Sequence, residues 1–466
     1  MNFFDDIDQY SSSIALISEE YEQISYNSLI LAADEIKEKI KGRCLVICVC
    51  QNNLESVAGY IGFLRGRIVP VMISDTLKPE SFNKLLQIYK PKYIWMPNMN
   101  IDNFIEMEKI YHLNNYVLLK THYVIDYKLN DDLALLLTTS GSTGSPKLVR
   151  ITYKNINSNA NAIAQYLNIK QEDRPITTMP MNYSYGLSII NSYLLNGATL
   201  ILTNKTLMDK AFWDLLKGNK ATTFGGVPYI YEMLKKLRFE RMDLPSLKIL
   251  TQAGGKLSLE LSQEFSTVCD RKDISFITMY GQTEATARMA YLPKQYSLDK
   301  AGSIGIAIPG GKFWLNDINR EIISESEVAG ELIYQGENVS MGYAESCYDL
   351  NKEDENKGVL RTGDIAKRDL DGFYYIVGRM NRFIKLFGNR VNMDEVESLI
   401  KSTEYESACT GEDNYLKIYI TSKENHEVLK KIITASTDIN PSGFKIVYIE
   451  SIPRSESGKI LYSSLK

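Results

Sequence analysis

Residue types that could do chemistry cluster first between Thr138 and Lys147, where "TTSGSTGSPK" sets hydroxyl side chains beside two glycines and ends on a lysine. Thr138, Thr139, Ser140, Ser142 and Thr143 supply hydroxyls, Gly141 and Gly144 permit backbone conformations that a Cβ forbids, and Lys147 adds positive charge. This set suits a polyphosphate, whose oxygens accept hydrogen bonds from backbone N–H and hydroxyl groups alike. The ordinary nucleotide P-loop is excluded. It needs four residues between its glycines and then Lys-Ser/Thr, whereas here Pro146 stands where the second glycine belongs and Leu148 follows Lys147.

Three further clusters follow in the chain. "YGQTE", Tyr280 to Glu284, ends an apolar run with an aromatic ring, an amide, a hydroxyl and a carboxylate. "RTGD" ends on Asp364, and "SESGK" ends on Lys459. Histidine chemistry is excluded by number and place, because only His112, His122 and His426 exist and none lies in a glycine-rich segment. The six cysteines match neither a disulfide framework nor zinc spacing, so they are expected to be buried structural thiols.

The elements that must position these residues can be read from hydrophobic periodicity. "RCLVICVC", the segment 53–64 and "RIVPVMI" read as strand, helix and strand. Apolar runs ending in loop residues continue through "KYIWMP", "LALLLTT", "TTFGGV", "LKILTQAGG" and "SFITMYGQTE", which predicts an α/β fold with mostly parallel, buried strands. In such sheets ligands sit at the carboxyl ends of strands, so the loops around Thr139–Lys147, Ala253–Lys256 and Gly281–Glu284 are expected to converge. From about Gly302 to Gly378 short glycine-punctuated segments predict a small antiparallel β region, and 381–466 reads as a small α+β unit. The expected division is a core of 1–380 and a lid of 381–466. At 466 residues with a net charge of −4, the chain carries no basic excess for nucleic acid. It also has no signal-like start and no apolar run long enough to span a membrane, which predicts a cytoplasmic protein.

Six segments taken in order, "TTSGSTGSPK", "YGQTE", "GELIYQGENVSMGY", "RTGD", "GRMNRFIKLFGNRV" and "PRSESGK", resemble the adenylate-forming superfamily of acyl-CoA synthetases, peptide-synthetase adenylation domains and luciferases. The resemblance implies ATP-dependent activation of a carboxylic acid as an acyl-adenylate, release of pyrophosphate, and transfer to a pantetheine thiol on coenzyme A or a separate acyl carrier protein. It implies that the Thr138–Lys147 loop handles the β- and γ-phosphates, with Thr139 counted among the catalytic residues. Tyr280 then stacks on adenine, Thr283 contacts phosphate and Glu284 holds Mg²⁺. Gly254, Gly255, Lys256, Gly281 and Gln282 join the nucleotide site, Asp364 and Arg379 take the ribose, and Lys459 reaches the charge developing at the reacting carboxylate.

Asn381 occupies the hinge position of that family, where Asp or Lys is usual, and Leu148 and Tyr153 depart from its usual glycine and histidine. Met179, Tyr183, Tyr185, Gly186, Gly226 and Pro228 are the expected walls of the acid pocket. Gly186 aligns with the place where peptide-type domains carry an aspartate for the substrate's α-ammonium, which favours a simple carboxylic acid over an amino acid. An amino-acid:carrier-protein ligase is the alternative. A non-catalytic adenylate-binding protein and a luciferase-like oxidase are remote ones.

Overall fold

The computed structural model describes all residues except 1, 99–106, 125, 139–146, 387–388, 402–404, 413–414, 423–425, 438–440, 455–459 and 466. The described residues divide into two compact units, one built from 1–138, 147–312 and 334–360, the other from 313–333 and 361–466.

Two large sheets organise the first unit. In one, Leu45–Cys50 lies between Val69–Ser74 and Tyr93–Pro97, parallel to both, and Val69–Ser74 is followed by Leu133–Thr138. All six residues of Leu45–Cys50 are buried, as a strand covered on both faces must be. Antiparallel strands close both edges, Leu148–Thr152 and Tyr343–Ala344 on one side, Tyr116–Lys120 and Glu108–Leu113 on the other. The second sheet carries the parallel series Pro175–Ile176, Thr223–Gly226, Ile249–Gln252 and Ser275–Tyr280, in register from Thr223↔Ile249 to Gln252↔Thr278. Its Ser275–Tyr280 edge continues antiparallel through Ala290–Tyr291 and Ile306–Ala307.

An apolar core of buried residues joins both sheets to the helices Leu54–Arg65, Tyr153–Leu167 and Ser184–Leu194. The helix Tyr153–Leu167 starts at a capping box, with the Thr152 hydroxyl accepting from the Asn155 N–H and the Asn155 side chain returning to the Thr152 N–H. Leu148 and Tyr153, the two departures in this segment, are buried packing residues: Leu148 pairs with Thr138 and Ala344 across two ladders, and Tyr153 packs on Phe4 beneath the Arg67 guanidinium.

The region 302–378 does not form one β module. Ile306–Ala307 joins one large sheet and Tyr343–Ala344 the other, while Lys312–Asn316, Ile322–Ile323, Gly330–Gln335, Val359–Arg368 and Tyr374–Arg379 make a five-stranded sheet. Strands of two residues have no face of their own, so the neighbouring ladder decides where they pair.

The second unit continues with the hairpin Phe383–Leu386 and Asn389–Asn392, then a three-stranded sheet of Ser407–Glu412, Tyr415–Ile420 and Phe444–Tyr448. Helices Met393–Lys401 and His426–Thr437 cover it through a core that includes Val396, Ile400, Leu429 and Ile433. All six cysteines are buried and unpaired, and burial lifts the Cys44 thiol to about 11. Among the described residues no helix is long and apolar enough to cross a membrane.

Candidate active site

At the end of the strand Ser275–Tyr280 the chain turns once through Thr283–Ala285. That turn is pinned by the Ser340 N–H, which donates to the Glu284 carbonyl at 2.9 Å. The Glu284 carboxylate then accepts a hydrogen bond of 2.6 Å from the Tyr343 hydroxyl. On the same ring, 3.6 Å from its centroid, stands the Lys147 ammonium, which also lies 3.9 Å from the Glu345 carboxylate. Burial, and then the Glu284 charge, push the Tyr343 phenol well above its ordinary range, so it stays a neutral donor. One aromatic ring therefore contacts both the Glu284 carboxylate and the Lys147 ammonium, which make no ion pair with each other. Tyr343 lies inside a segment that carried the resemblance, yet its role was not legible there. No spacing rule connects residue 343 to 284; the pairing of Tyr343–Ala344 with Leu148–Thr152 and the bonds of Asn338 and Ser340 to residues 284–286 bring it near.

Of the three loops expected to converge, Ala253–Lys256 and Gly281–Glu284 are brought together at Tyr183–Ser184, while 139–146 of the third lie outside the described residues. The Ser184 and Thr283 hydroxyls meet at 3.3 Å. Gly254 has φ +82, and a Cβ there would stand 2.8 Å from the Tyr183 hydroxyl oxygen. A Cβ on Gly255 would touch the Pro228 ring at 3.1 Å, so Gly226–Pro228 and Gly254–Gly255 are neighbours. Lys256 is exposed beside them. Tyr280 accepts a long hydrogen bond, 3.4 Å, from Gln282. Tyr185 is buried with its hydroxyl between the Thr251 carbonyl at 2.9 Å and the Thr251 hydroxyl at 2.8 Å, and Gly225 leaves it room, since a Cβ there would come within 2.5 Å of that oxygen. Met179 is buried, and its carbonyl accepts from the Asn52 side chain at 3.2 Å.

Gly186 has a different role from the one its alignment suggests. It sits in the first turn of the helix Ser184–Leu194, and a Cβ there would lie 2.2 Å from the Pro180 carbonyl oxygen and 2.8 Å from that of Met179. The helix packs directly on that backbone, so position 186 has no room for any side chain, substrate-facing or otherwise.

Arg288 escaped the sequence reading altogether. It is 2% exposed, donates from Nε to the Ser188 hydroxyl at 3.2 Å and from Nη1 to the Tyr166 hydroxyl and the Met279 sulfur at 3.0 Å each, and lies 5.1 Å from the Tyr185 ring centroid. The available signal was a single charged residue in the small and apolar run "ATARMAY", four positions past Glu284.

In the second unit Asp364 and Arg379 face each other across the ladder of Val359–Arg368 and Tyr374–Arg379, with Arg379 Nε 3.0 Å from Asp364 Oδ1. The carboxylate side chain is 3% exposed and the guanidinium 59%, so a fixed acceptor is met by a largely solvated cation. Asn381 follows within the short turn Met380–Arg382. Beside it Arg382 is anchored to Asp394 at 2.7 Å, to Glu397 at 2.5 Å and to the Cys409 carbonyl at 2.6 Å. Thr139, Ser140, Gly141, Ser142, Thr143, Gly144 and Lys459 lie outside the described residues.

The donor set fits Mg²⁺. Among the described residues no group of three metal-ligating side chains exists, and Glu284 with the nearby Thr283 hydroxyl is a sparse oxygen site of the kind that ion takes when substrate phosphates complete its shell. A cavity of about 560 Å³ opens elsewhere, lined by Arg43, Tyr127, Asn130 and Glu353 among others, and none of the residues expected to do chemistry borders it.

The family model of AMP-binding enzymes matches residues 3–344. Among curated proteins, the 2-succinylbenzoate–CoA ligase of Bacillus licheniformis is 30% identical over 273 residues, covering 58% of this chain and 55% of that protein. The chain thus aligns with about half the length of that relative. The 2-succinylbenzoate–CoA ligase of Geobacillus is 27% identical over 352 residues, 72% of this chain and 69% of that protein, and the oxalate–CoA ligase of Arabidopsis thaliana is 26% identical over 350 residues, 71% and 66%. Among solved structures, the O-succinylbenzoate coenzyme A synthetase of Bacillus subtilis in complex with AMP has a TM-score of 0.80 at 22% identity and covers 100% of this chain and 98% of its own. ATP-bound MatB from Rhodopseudomonas palustris has a TM-score of 0.82 at 19% identity, with the same coverage. These two share the fold.

Proposed function

The chain belongs to the AMP-binding enzyme family, and we propose that its acid is one without an α-ammonium group and that its acceptor thiol is that of coenzyme A. It is an AMP-forming acid–thiol ligase that uses ATP with Mg²⁺. A carboxylate oxygen attacks the α-phosphorus of ATP, the bond to the β-phosphate bridging oxygen breaks and pyrophosphate leaves. The thiol then attacks the acyl carbon and AMP departs. Mg²⁺ held by Glu284 supplies charge neutralisation along the phosphates. Lys147 adds a cation without quenching Glu284, Tyr280 faces the adenine, and Asp364 receives the ribose hydroxyls.

The observation that carries this reading is the Glu284–Tyr343–Lys147 arrangement, a metal-binding acid and a phosphate-binding base fixed on one ring. One support favours a simple acid: the relatives above are named for acids that lack an amino group. Coenzyme A is the thiol in the names of those relatives, and a cytoplasmic location would supply both it and ATP. A lid of 381–466 turning at Asn381 on a core of 1–380 would let Lys459 serve one half-reaction and leave for the other.

ATP–pyrophosphate exchange over a panel of aliphatic and aromatic acids and their α-amino counterparts tests the assignment. Exchange with simple acids is expected, and Lys459→Ala should lower it by about 10²–10³-fold while thioester formation from supplied acyl-adenylate continues. Exchange with amino acids alone would move the enzyme to the amino-acid:carrier-protein ligases.

A further inference from the structure

Among the described residues Arg288 is a buried cation without an anion. Burial of a guanidinium costs several kcal/mol unless a negative charge or a full set of acceptors offsets it. Here neither is present: Nε and Nη1 meet two hydroxyls and a thioether, and Nη2 makes no hydrogen bond with any described residue. The nearby phenols do not supply the charge either. Burial raises both Tyr166 and Tyr185, the latter to about 12, so each stays a neutral dipole. Nor does the group float free, because its backbone carbonyl accepts from Asn159 at 2.8 Å and from Asn338 at 3.1 Å, which fixes the residue where it stands.

Its position is informative. Met279 and Thr251 are the next-to-last residues of the strands Ser275–Tyr280 and Ile249–Gln252, and Tyr185, over whose ring Arg288 lies, bonds to Thr251. Arg288 therefore lies at the carboxyl ends of the parallel strands, where an open α/β sheet receives its ligand, beside Tyr185 of the expected acid pocket. A preformed guanidinium fork there, held by Ser188 and Tyr166 and lacking a protein carboxylate, matches the planar two-oxygen geometry of a carboxylate.

We propose that the acid activated by this enzyme is a dicarboxylic acid, and that Arg288 binds the carboxylate that does not react, with the Tyr166 and Ser188 hydroxyls fixing the guanidinium. The proposal rests on the acid-activating reading above and narrows it. It also gives a physical reason for discrimination: a substrate ending in a methyl group would leave the buried cation unpaired, and sites built for a polar partner reject analogues that lack it strongly.

The test uses the full chain with Mg²⁺ and ATP, measuring pyrophosphate exchange and thioester formation. Linear α,ω-dicarboxylic acids of increasing length and benzene dicarboxylates are each set against the monocarboxylate in which a methyl group replaces the second carboxylate. For at least one pair the dicarboxylate should exceed its partner in kcat/KM by about 10²-fold or more, and Arg288→Met should collapse or invert that ratio. Arg288→Lys, which keeps charge and loses the fork, should retain an intermediate ratio. Equal or better use of monocarboxylates by the unmodified enzyme would overturn the proposal and leave the acid–thiol ligase standing. So would a ratio that Arg288→Met leaves unchanged. Absence of exchange with every acid would instead remove the ligase reading and this proposal with it. Should Arg288→Met fail to fold, the unmodified enzyme's ratio and Arg288→Lys decide.

Discussion

Two arginines in the first unit are equally buried and differently satisfied. Arg150, fully buried in the strand Leu148–Thr152, donates to the carbonyls of Tyr343 at 3.1 Å, Lys352 at 2.5 Å, Met341 at 2.8 Å and Glu353 at 3.3 Å, and to the Glu355 carboxylate at 2.7 Å. Arg288, 2% exposed, has two hydroxyls, a sulfur and a ring face. The first charge is used up by the fold, clamping residues 341–355 against a strand. The second is held in place but not neutralised. A buried charge that backbone carbonyls and a carboxylate consume belongs to the architecture, whereas one braced only by neutral groups is kept for a ligand. Glu284 falls on the second side: its carboxylate accepts from the Tyr343 hydroxyl, a neutral partner that a ligand can displace or supplement.

Stability should separate the two arginines most sharply. Arg150→Met removes the donor shared by four carbonyls and the Glu355 carboxylate and is expected to lower the unfolding free energy by about 3 kcal/mol or more. Arg288→Met removes an uncompensated buried charge and should leave stability unchanged or raise it by about 1 kcal/mol or more. Urea unfolding of the two variants decides, and equal losses would break the contrast by making Arg288 architectural too.

Asp364→Ala should come next in size. If that carboxylate is reserved for the ribose, its loss weakens nucleotide binding by about 1.5–3 kcal/mol, seen by calorimetry with ATP. Stability should barely change, because the Arg379 partner is mostly solvated and such pairs contribute about 0–1 kcal/mol. A variant that unfolds early while binding ATP normally would reassign Asp364 to the architecture.

The smallest effect belongs to Tyr343→Phe, which keeps the ring under Lys147 and removes only the hydrogen bond to Glu284. A change of about 0.5–1.5 kcal/mol, or several-fold in the Mg²⁺ concentration giving half-maximal AMP formation, is expected. An unaltered Mg²⁺ dependence would show that the phenol does not tune the carboxylate.

By itself the amino-acid sequence determined the class of fold and pointed to the strand ends where Glu284 and its neighbours stand. Runs such as "LVICVC" are apolar on both faces and must be parallel strands buried from both sides, and Glu284 stands immediately after such a run, where a carboxylate is presented at a strand's carboxyl end. Local signals also placed the helix starts, because the capping residues Thr152 and Asn155 act within four positions of each other. Tertiary structure alone decided the rest. Tyr343 meets Glu284, 59 positions away, through an edge strand of two residues and the long-range bond from the Ser340 N–H to the Glu284 carbonyl. Gly186 serves a helix that lies on the Pro180 backbone rather than a substrate charge. Whether an arginine is spent or spare depends on which carbonyls and carboxylates the folded chain brings within 3.3 Å of it, a property of long-range packing that neither the identity nor the spacing of residues 150 and 288 encodes.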